Sequence, residues 1–390
     1  MYVLHIDRRR TAARSIVGAV LTTLESARVR NAPEAERVES VAGLLEQVSR
    51  DMVLHTAADG ATPPHAAGTL ITYLVDRWGI YTIVREATSH RRAQDIWRRT
   101  ASLKILFQIE HPQAIELLQR AVDDQSGDVA SVGLTLLGRS SDPRAIGILI
   151  TALRQHRYPA SRIAVHLEHS PLRPAEEYRG LIADADPVVR FWGATLLAQY
   201  PDVAWVERSL ATLMDDPDAR VRKAAVQSLG KVGDALAASV ALRMLRDEAP
   251  FVRAHAAKAL GELEHAEAAA AVAELLGDAD WWVRAAAKQS LELMGSEVWP
   301  VLMRCLDHQD GFVRNGAAEV FQNLGVLDSL IVMEAATDDP SSAKIDLLRR
   351  IAAAGGMRLT DSLIERAGEA AAPRIRRLLA TMGLEQVGAA

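Results

Sequence analysis

Between residues 215 and 325 the apolar and polar positions of this chain return four times in one order. The segments DDPDARVRKAAVQSLG (215–230), APFVRAHAAKALG (249–261), DADWWVRAAAKQSLELMG (278–295) and HQDGFVRNGAAEVFQNLG (308–325) each open on a turn and run into a helix-forming stretch. Their Val-Arg pairs, Val221-Arg222, Val252-Arg253, Val283-Arg284 and Val313-Arg314, are spaced by 31, 31 and 30 residues. Within each stretch the apolar slots fall at the Val, four residues on and eight residues on, which is one face of a helix. The middle slot holds Gly193, Ala225, Ala256, Ala287 and Ala317, where only a small residue lets two helices approach. Leu197, Leu229, Leu260, Leu291 and Phe321 supply bulk one turn later. A fixed period of this length with no alternating strand pattern predicts stacked helix pairs. The expected fold is all-α, a right-handed α-solenoid of antiparallel helix pairs of about 30–32 residues.

The pattern extends in both directions. Trp97, Ala101 and Ile105 occupy the first set of slots, and Val129, Gly133 and Leu137 the second, followed by Gly138. A degenerate unit near residue 160 keeps only Ala164, and Val189-Arg190 restores the register. Downstream, Ala343-Lys344 lies 30 residues after Val313, with Leu347 and Ile351 in the core slots, and a last Arg-rich helix spans about 374–382. Residues 93–390 therefore form the expected solenoid. Residues 1–92 lack the repeat but read as helices over 11–30, from Pro33 onward, and over 70–84, with a loop at 57–65. A stack must seal its first apolar face, and this block serves as the cap.

Three residues before each Val sits Asp186, Asp218, Asp280 or Asp310, with Ser126 in an earlier unit. That is the N-cap, where a side-chain oxygen accepts from a free amide of the first turn. Pro187 and Pro250 follow at the position where a missing amide hydrogen costs nothing. A further Asp lies two residues earlier, at Asp184, Asp216, Asp247 and Asp278. The Arg column (Arg190, Arg222, Arg253, Arg284, Arg314) is expected to pair with these Asp residues across neighbouring units as a ladder. This Asp-x-x-Val-Arg-x-x-Ala-x-x-x-Leu-Gly pattern resembles the HEAT repeat family, in particular the short bacterial HEAT-like units also found in phycobilin lyases. The resemblance covers roughly 93–390 and implies the fold; for function it implies a binding scaffold.

Composition narrows the chemistry. A net charge of −5 with no basic stripe disfavours binding of nucleic acid through its phosphates. The first 99 residues are nevertheless basic, at +3, and Arg8, Arg9, Arg10 and Arg14 follow an apolar start. That start allows a membrane contact, and otherwise reads as a basic helix start on the surface. A single cysteine, Cys305 in VLMRCLD, reads as a helical core thiol and excludes a disulfide framework. No run of apolar residues is long enough to span a membrane, so the expected setting is the reducing cytoplasm. The Asp-x-Asp pairs recur with every unit, as caps do and a metal site does not. His166 and His169 share a helix face without a third ligand, and no His-Glu dipeptide of the HEAT-like di-iron hydroxylases is present. No metal, no cofactor and no catalytic constellation is expected.

Two surfaces remain for a partner. The residue before each Val is Phe251, Trp282 or Phe312, with Trp281 alongside, which stacking would align as an aromatic edge. Two and six residues after Val come Phe191, Lys223, Ala254, Ala285 and Asn315, then Thr195, Gln227, Lys258, Gln289 and Glu319. Both columns project from the core slots and should pave the inner surface. The expected function is a non-catalytic scaffold holding a protein partner on the inner face or the aromatic edge. A bilin-handling lyase-like protein and a cytoplasmic accessory of a membrane assembly are the alternatives.

Overall fold

The computed structural model describes residues 15–48, 50–59, 61–87, 96–233, 235–336, 341–354 and 368–381. The Arg-rich start therefore lies outside the described residues, as does Met382 of the last expected helix. Among the described residues the chain is α-helical with short 3-10 turns and no strand. It divides into two compact units, Met1–Pro174 and Ala175–Ala390.

In the second unit the repeat is visible as a series of hairpins. The second helices are Pro187–Leu197, Ala219–Val232, Pro250–Glu262, Trp281–Leu293 and Gly311–Asn323, and each packs on the next. The first helices, Val206–Ala211, Ala235–Met244, Ala269–Glu274 and Trp299–Cys305, lie on the other side of their hairpins. Val189, Val221, Val252 and Val283 are fully buried, as are Ala225, Ala256, Ala287 and Ala317 and the bulky residues one turn later. Burying a Val or Leu side chain stabilises by about 1.5–3 kcal/mol, so each unit contributes through the same three slots.

The small slots differ in what they touch. A Cβ on Gly193 would sit 2.7 Å from the Leu181 Cβ and 3.0 Å from the Ile182 amide nitrogen, so this slot lets the second helix lie on the first. Gly230 and Gly261, of the Leu229-Gly230 and Leu260-Gly261 pairs, face the neighbouring unit instead. A Cβ on Gly230 would meet the Ala259 Cα at 3.1 Å, and one on Gly261 the Ser290 Cα at 2.8 Å. Buried Ser290 donates to the Ala257 carbonyl at 2.6 Å across the same seam.

In the first unit the helices Ile96–Gln108, Gly127–Gly138 and Ala160–Glu168 pack in succession, with Val129, Leu137 and Ala164 buried. The register of its first repeat differs by one residue from the sequence expectation. Trp97 is 37% exposed, whereas Arg99 is buried and pairs with Asp124 two residues before Ser126. Arg99 thus fills the place of Arg222, and the buried Ser102 and Leu106 take the slots of Ala225 and Leu229. The doublet Arg98-Arg99 hides this shift, because either Arg fits a pattern defined by one basic residue. At the far end Leu348 is buried and Leu347, expected in a core slot, only half-buried; Ile351 is buried as expected. The apolar stretch 70–84 forms two helices, Pro64–Trp78 and Ile80–Ala87, separated by Gly79 at φ +77°, a conformation glycine adopts without strain. Helices Arg50–Ala58 and Ile80–Ala87 both pack on Ile96–Gln108, which joins the non-repeating helices to the first repeat.

Candidate functional site

The turns between first and second helices carry the chain's recurring polar chemistry. In each, the carboxylate of Asp184, Asp216, Asp247 or Asp278 accepts from the amide two residues on, at 2.8–3.1 Å. The N-cap follows. Asp186, Asp218 and Asp310 each accept from the second amide of their helix at 2.8 Å. Arg220 also bonds the Asp218 carboxylate and holds it down at about 2, with burial opposing. Asp280 and Ser126 stand at the N-cap but make no such bond. The Asp280 carboxylate lies 3.5 Å from the Arg253 guanidinium of the preceding unit, a competing partner for the oxygen.

Each Arg of the column sits one turn into its helix and reaches both turns beside it. Arg222 donates from Nη1 to its own Asp216 carbonyl at 2.9 Å, and from Nε and Nη2 to both oxygens of Asp247 in the next unit at 2.8 Å. Arg190 engages Asp216 at 2.7 and 2.9 Å, and Arg253 engages Asp278 at 2.8 and 2.9 Å, in the same two-pronged way. The guanidinium fork matches a carboxylate in plane and spacing, which a Lys ammonium cannot do. These side chains are 8–16% exposed on the Arg side and 5–8% on the Asp side. Burial alone would push the Asp247 and Asp278 carboxyls up. The facing Arg and the amide bond outweigh it, so both lie below the ordinary carboxylate range.

The ladder stops at Arg284. The residue at the next rung position is His308, whose Nδ1 accepts from the Asp310 amide at 3.0 Å in place of a carboxylate oxygen. Arg284 keeps the bonds to its own turn, from Nη1 to the carbonyls of Asp278 at 2.7 Å and Ala279 at 3.0 Å. Its guanidinium carbon lies 4.4 Å from the centre of the Phe312 ring, and no carboxylate among the described residues pairs with it. Among the described residues Arg314 likewise bonds the carbonyls of its own turn, at His308 and Gln309. The expected ladder thus covers Arg190, Arg222 and Arg253 and fails at Arg284, because His308 offers no carboxylate to it; the turn that follows Arg314 in the next unit lies outside the described residues.

Around this break lie the expected edge aromatics. Trp281 is 72% exposed and Phe312 60%, the two highest values among large apolar side chains of the described residues. Phe251 and Trp282 are half-buried. The two outer columns are uneven. Gln227, Lys258, Gln289 and Asn315 are exposed, while Phe191, Lys223, Thr195, Ala285 and Glu319 are half-buried. Ala254 is only 3% exposed and so does not pave a surface, contrary to the spacing argument. Phe191 packs edge-on against Trp192 at 5.1 Å, and Glu319 pairs with Lys288 at 2.6 Å. His255 lies half-buried, and burial together with Lys223 and Lys258 pushes it down to about 4.

Matches to a HEAT repeat family model fall at residues 179–253 and 242–322, over the hairpins that carry the complete rungs and the break. Residues 179–322 are HEAT repeats. No curated protein matches the sequence. Several solved structures are similar to the chain. An engineered protein is 16% identical, with 94% of this chain and 99% of that chain covered at a TM-score of 0.37. The complex of CpcE and CpcF of phycocyanin lyase from Nostoc gives 20% identity, 58% and 98% coverage and a TM-score of 0.34. Kap121p gives 13% identity, 94% and 47% coverage and 0.48.

Within the HEAT segment Cys305 is half-buried rather than a core thiol, and burial pushes its thiol up. It lines a groove of about 420 Å³ with Gly277, Arg304, His308 and Asp310. Groups of His, Cys, Asp or Glu that could hold a metal are absent among the described residues, and His166 and His169 form no such group. No helix among the described residues is long and apolar enough to cross a membrane. Sequence reasoning missed the break in the ladder, although its signal, His308 where the four preceding turns carry Asp184, Asp216, Asp247 and Asp278, is legible in the chain.

Proposed function

We propose that this protein is a non-catalytic scaffold that holds a protein partner along the aromatic edge of its HEAT segment. The observation that carries the reading is the exposure of Trp281 and Phe312 at the starts of consecutive second helices. Large aromatic rings left in water at adjacent positions offer binding energy that the fold itself does not use. The half-buried Trp282 and Phe251 give that edge a packed base. Repeated hairpins supply extended area, and at Arg190, Arg222 and Arg253 the polar groups of the turns are occupied in holding units together.

The test is site-specific photo-crosslinking from position 281 in native cells, with the captured partner then purified and titrated against the pure chain. Trp281→Ala with Phe312→Ala is expected to weaken that titration at least about tenfold while the melting curve stays unchanged. Equal affinity of the double variant and the parent would remove the edge as the binding surface.

A further inference from the structure

We propose that the broken rung at Arg284 is a receptor for an acidic side chain of the partner polypeptide, an Asp or Glu flanked by an apolar residue. This deepens the aromatic-edge reading and rests on it. At Arg190, Arg222 and Arg253 the same side chain, at the same helix position, gives Nε and Nη2 to both oxygens of one carboxylate. At Arg284 only Nη1 is used, by the carbonyls of Asp278 and Ala279. The fork made by Nε and Nη2 has no acceptor among the described residues. Of the two acids of the next turn, Asp307 pairs with Arg350 at 2.6 Å and Asp310 spends its Oδ1 on the Phe312 amide at 2.8 Å.

The guanidinium is nonetheless held in place. Its carbonyl bonds fix one end, and its guanidinium carbon lies over the Phe312 ring, 4.4 Å from the centre. A cation–π contact of this kind uses the charge of an Arg and none of its N–H groups, which stay free to donate. A carboxylate arriving at that edge would find two parallel donors in place, with little side-chain entropy left to lose. Exposed Trp281 and the outer part of Phe312 offer apolar contact to the neighbouring residue of the same segment. The occupant is therefore acidic and apolar at adjacent positions. His308, which displaced the internal acid, makes the opening.

The experiment follows the Arg284 Nε–H resonance and Trp fluorescence of the full chain during titration with the capped dipeptide Ac-Leu-Asp-NH2, and with Ac-Leu-Asn-NH2 as its neutral match. The expected result is a saturable shift of Arg284 with the acidic probe only. His308→Asp returns an internal carboxylate to the rung, so it should weaken the response about tenfold or more while the protein melts no lower than the parent. Equal response to both probes, no response at Arg284, or undiminished binding by a folded His308→Asp protein would overturn the proposal. Against the purified partner, a loss on Trp281→Ala with Phe312→Ala but none on Arg284→Gln would leave the aromatic edge standing and remove the carboxylate receptor.

Discussion

The rungs at Arg222 and Arg284 use the same residue in the same repeat slot and end differently. Arg222 is closed between two units, with both oxygens of Asp247 satisfied and each side chain under a tenth exposed. Arg284 is tied only to its own turn and rests on an aromatic ring. One position, two residues before the N-cap, sets the difference: Asp there joins neighbours, and His there leaves a cation open. The comparison teaches that a repeat can trade a piece of its internal mortar for a recognition group without disturbing its apolar slots, since Val283, Ala287 and Leu291 stay fully buried.

The largest expected effect comes from breaking a closed rung. Asp247→Ala removes both oxygens of the two-pronged bond and leaves the buried Arg222 only the longer contact to the exposed Glu248 at 3.2 Å and its own turn's carbonyl, so it should cost about 3 kcal/mol of unfolding free energy. His308→Ala, at the open rung, should stay within about 0.5 kcal/mol of the parent, as a surface change does. Urea unfolding of the two variants measures the contrast. Next in size is the seam between units. Gly261→Ala would drive a methyl into the Ser290 backbone at 2.8 Å and should cost about 1–3 kcal/mol. Gly311→Ala meets nothing closer than the Arg314 Nη2 at 3.6 Å, so its melting temperature should match or exceed that of the parent.

How far such contrasts were visible in the sequence differs by level. The Val, small-residue and Leu slots are legible because burial forces the same residue types at the same spacing in every unit, and Ala225, Ala256 and Ala287 are indeed fully buried. The N-caps are legible as positions but not as bonds: Asp218 and Asp280 look alike in the chain, yet the nearby Arg253 competes only for the second. The register at Arg98-Arg99 and at Leu347-Leu348 was hidden because adjacent residues of one kind satisfy a pattern equally well. Surface columns were least legible. Whether Ala254 or Phe312 meets water depends on the neighbouring hairpin, which spacing within one helix does not encode.

The caps sharpen the comparison on a smaller scale. Asp218→Ala should lose about 0.5–2 kcal/mol through its cap, and Asp280→Ala less, because no amide depends on its side chain. Thermal melts of the pair check the order. A separate effect concerns pH. His255 is pushed from its ordinary 6.5 to about 4, so between these values the unfolded chain binds more protons than the folded one. Stability therefore falls as pH drops through that window, and His255→Gln should flatten the fall in urea midpoints measured from pH 7 to 4.

The most direct measurement is a pair of double-mutant cycles, one on Arg222 with Asp247 and one on Arg284 with His308, read by equilibrium unfolding of the full chain. The account predicts a coupling above about 1.5 kcal/mol in the first and within about 0.5 kcal/mol of zero in the second. Equal couplings at the two rungs would contradict it.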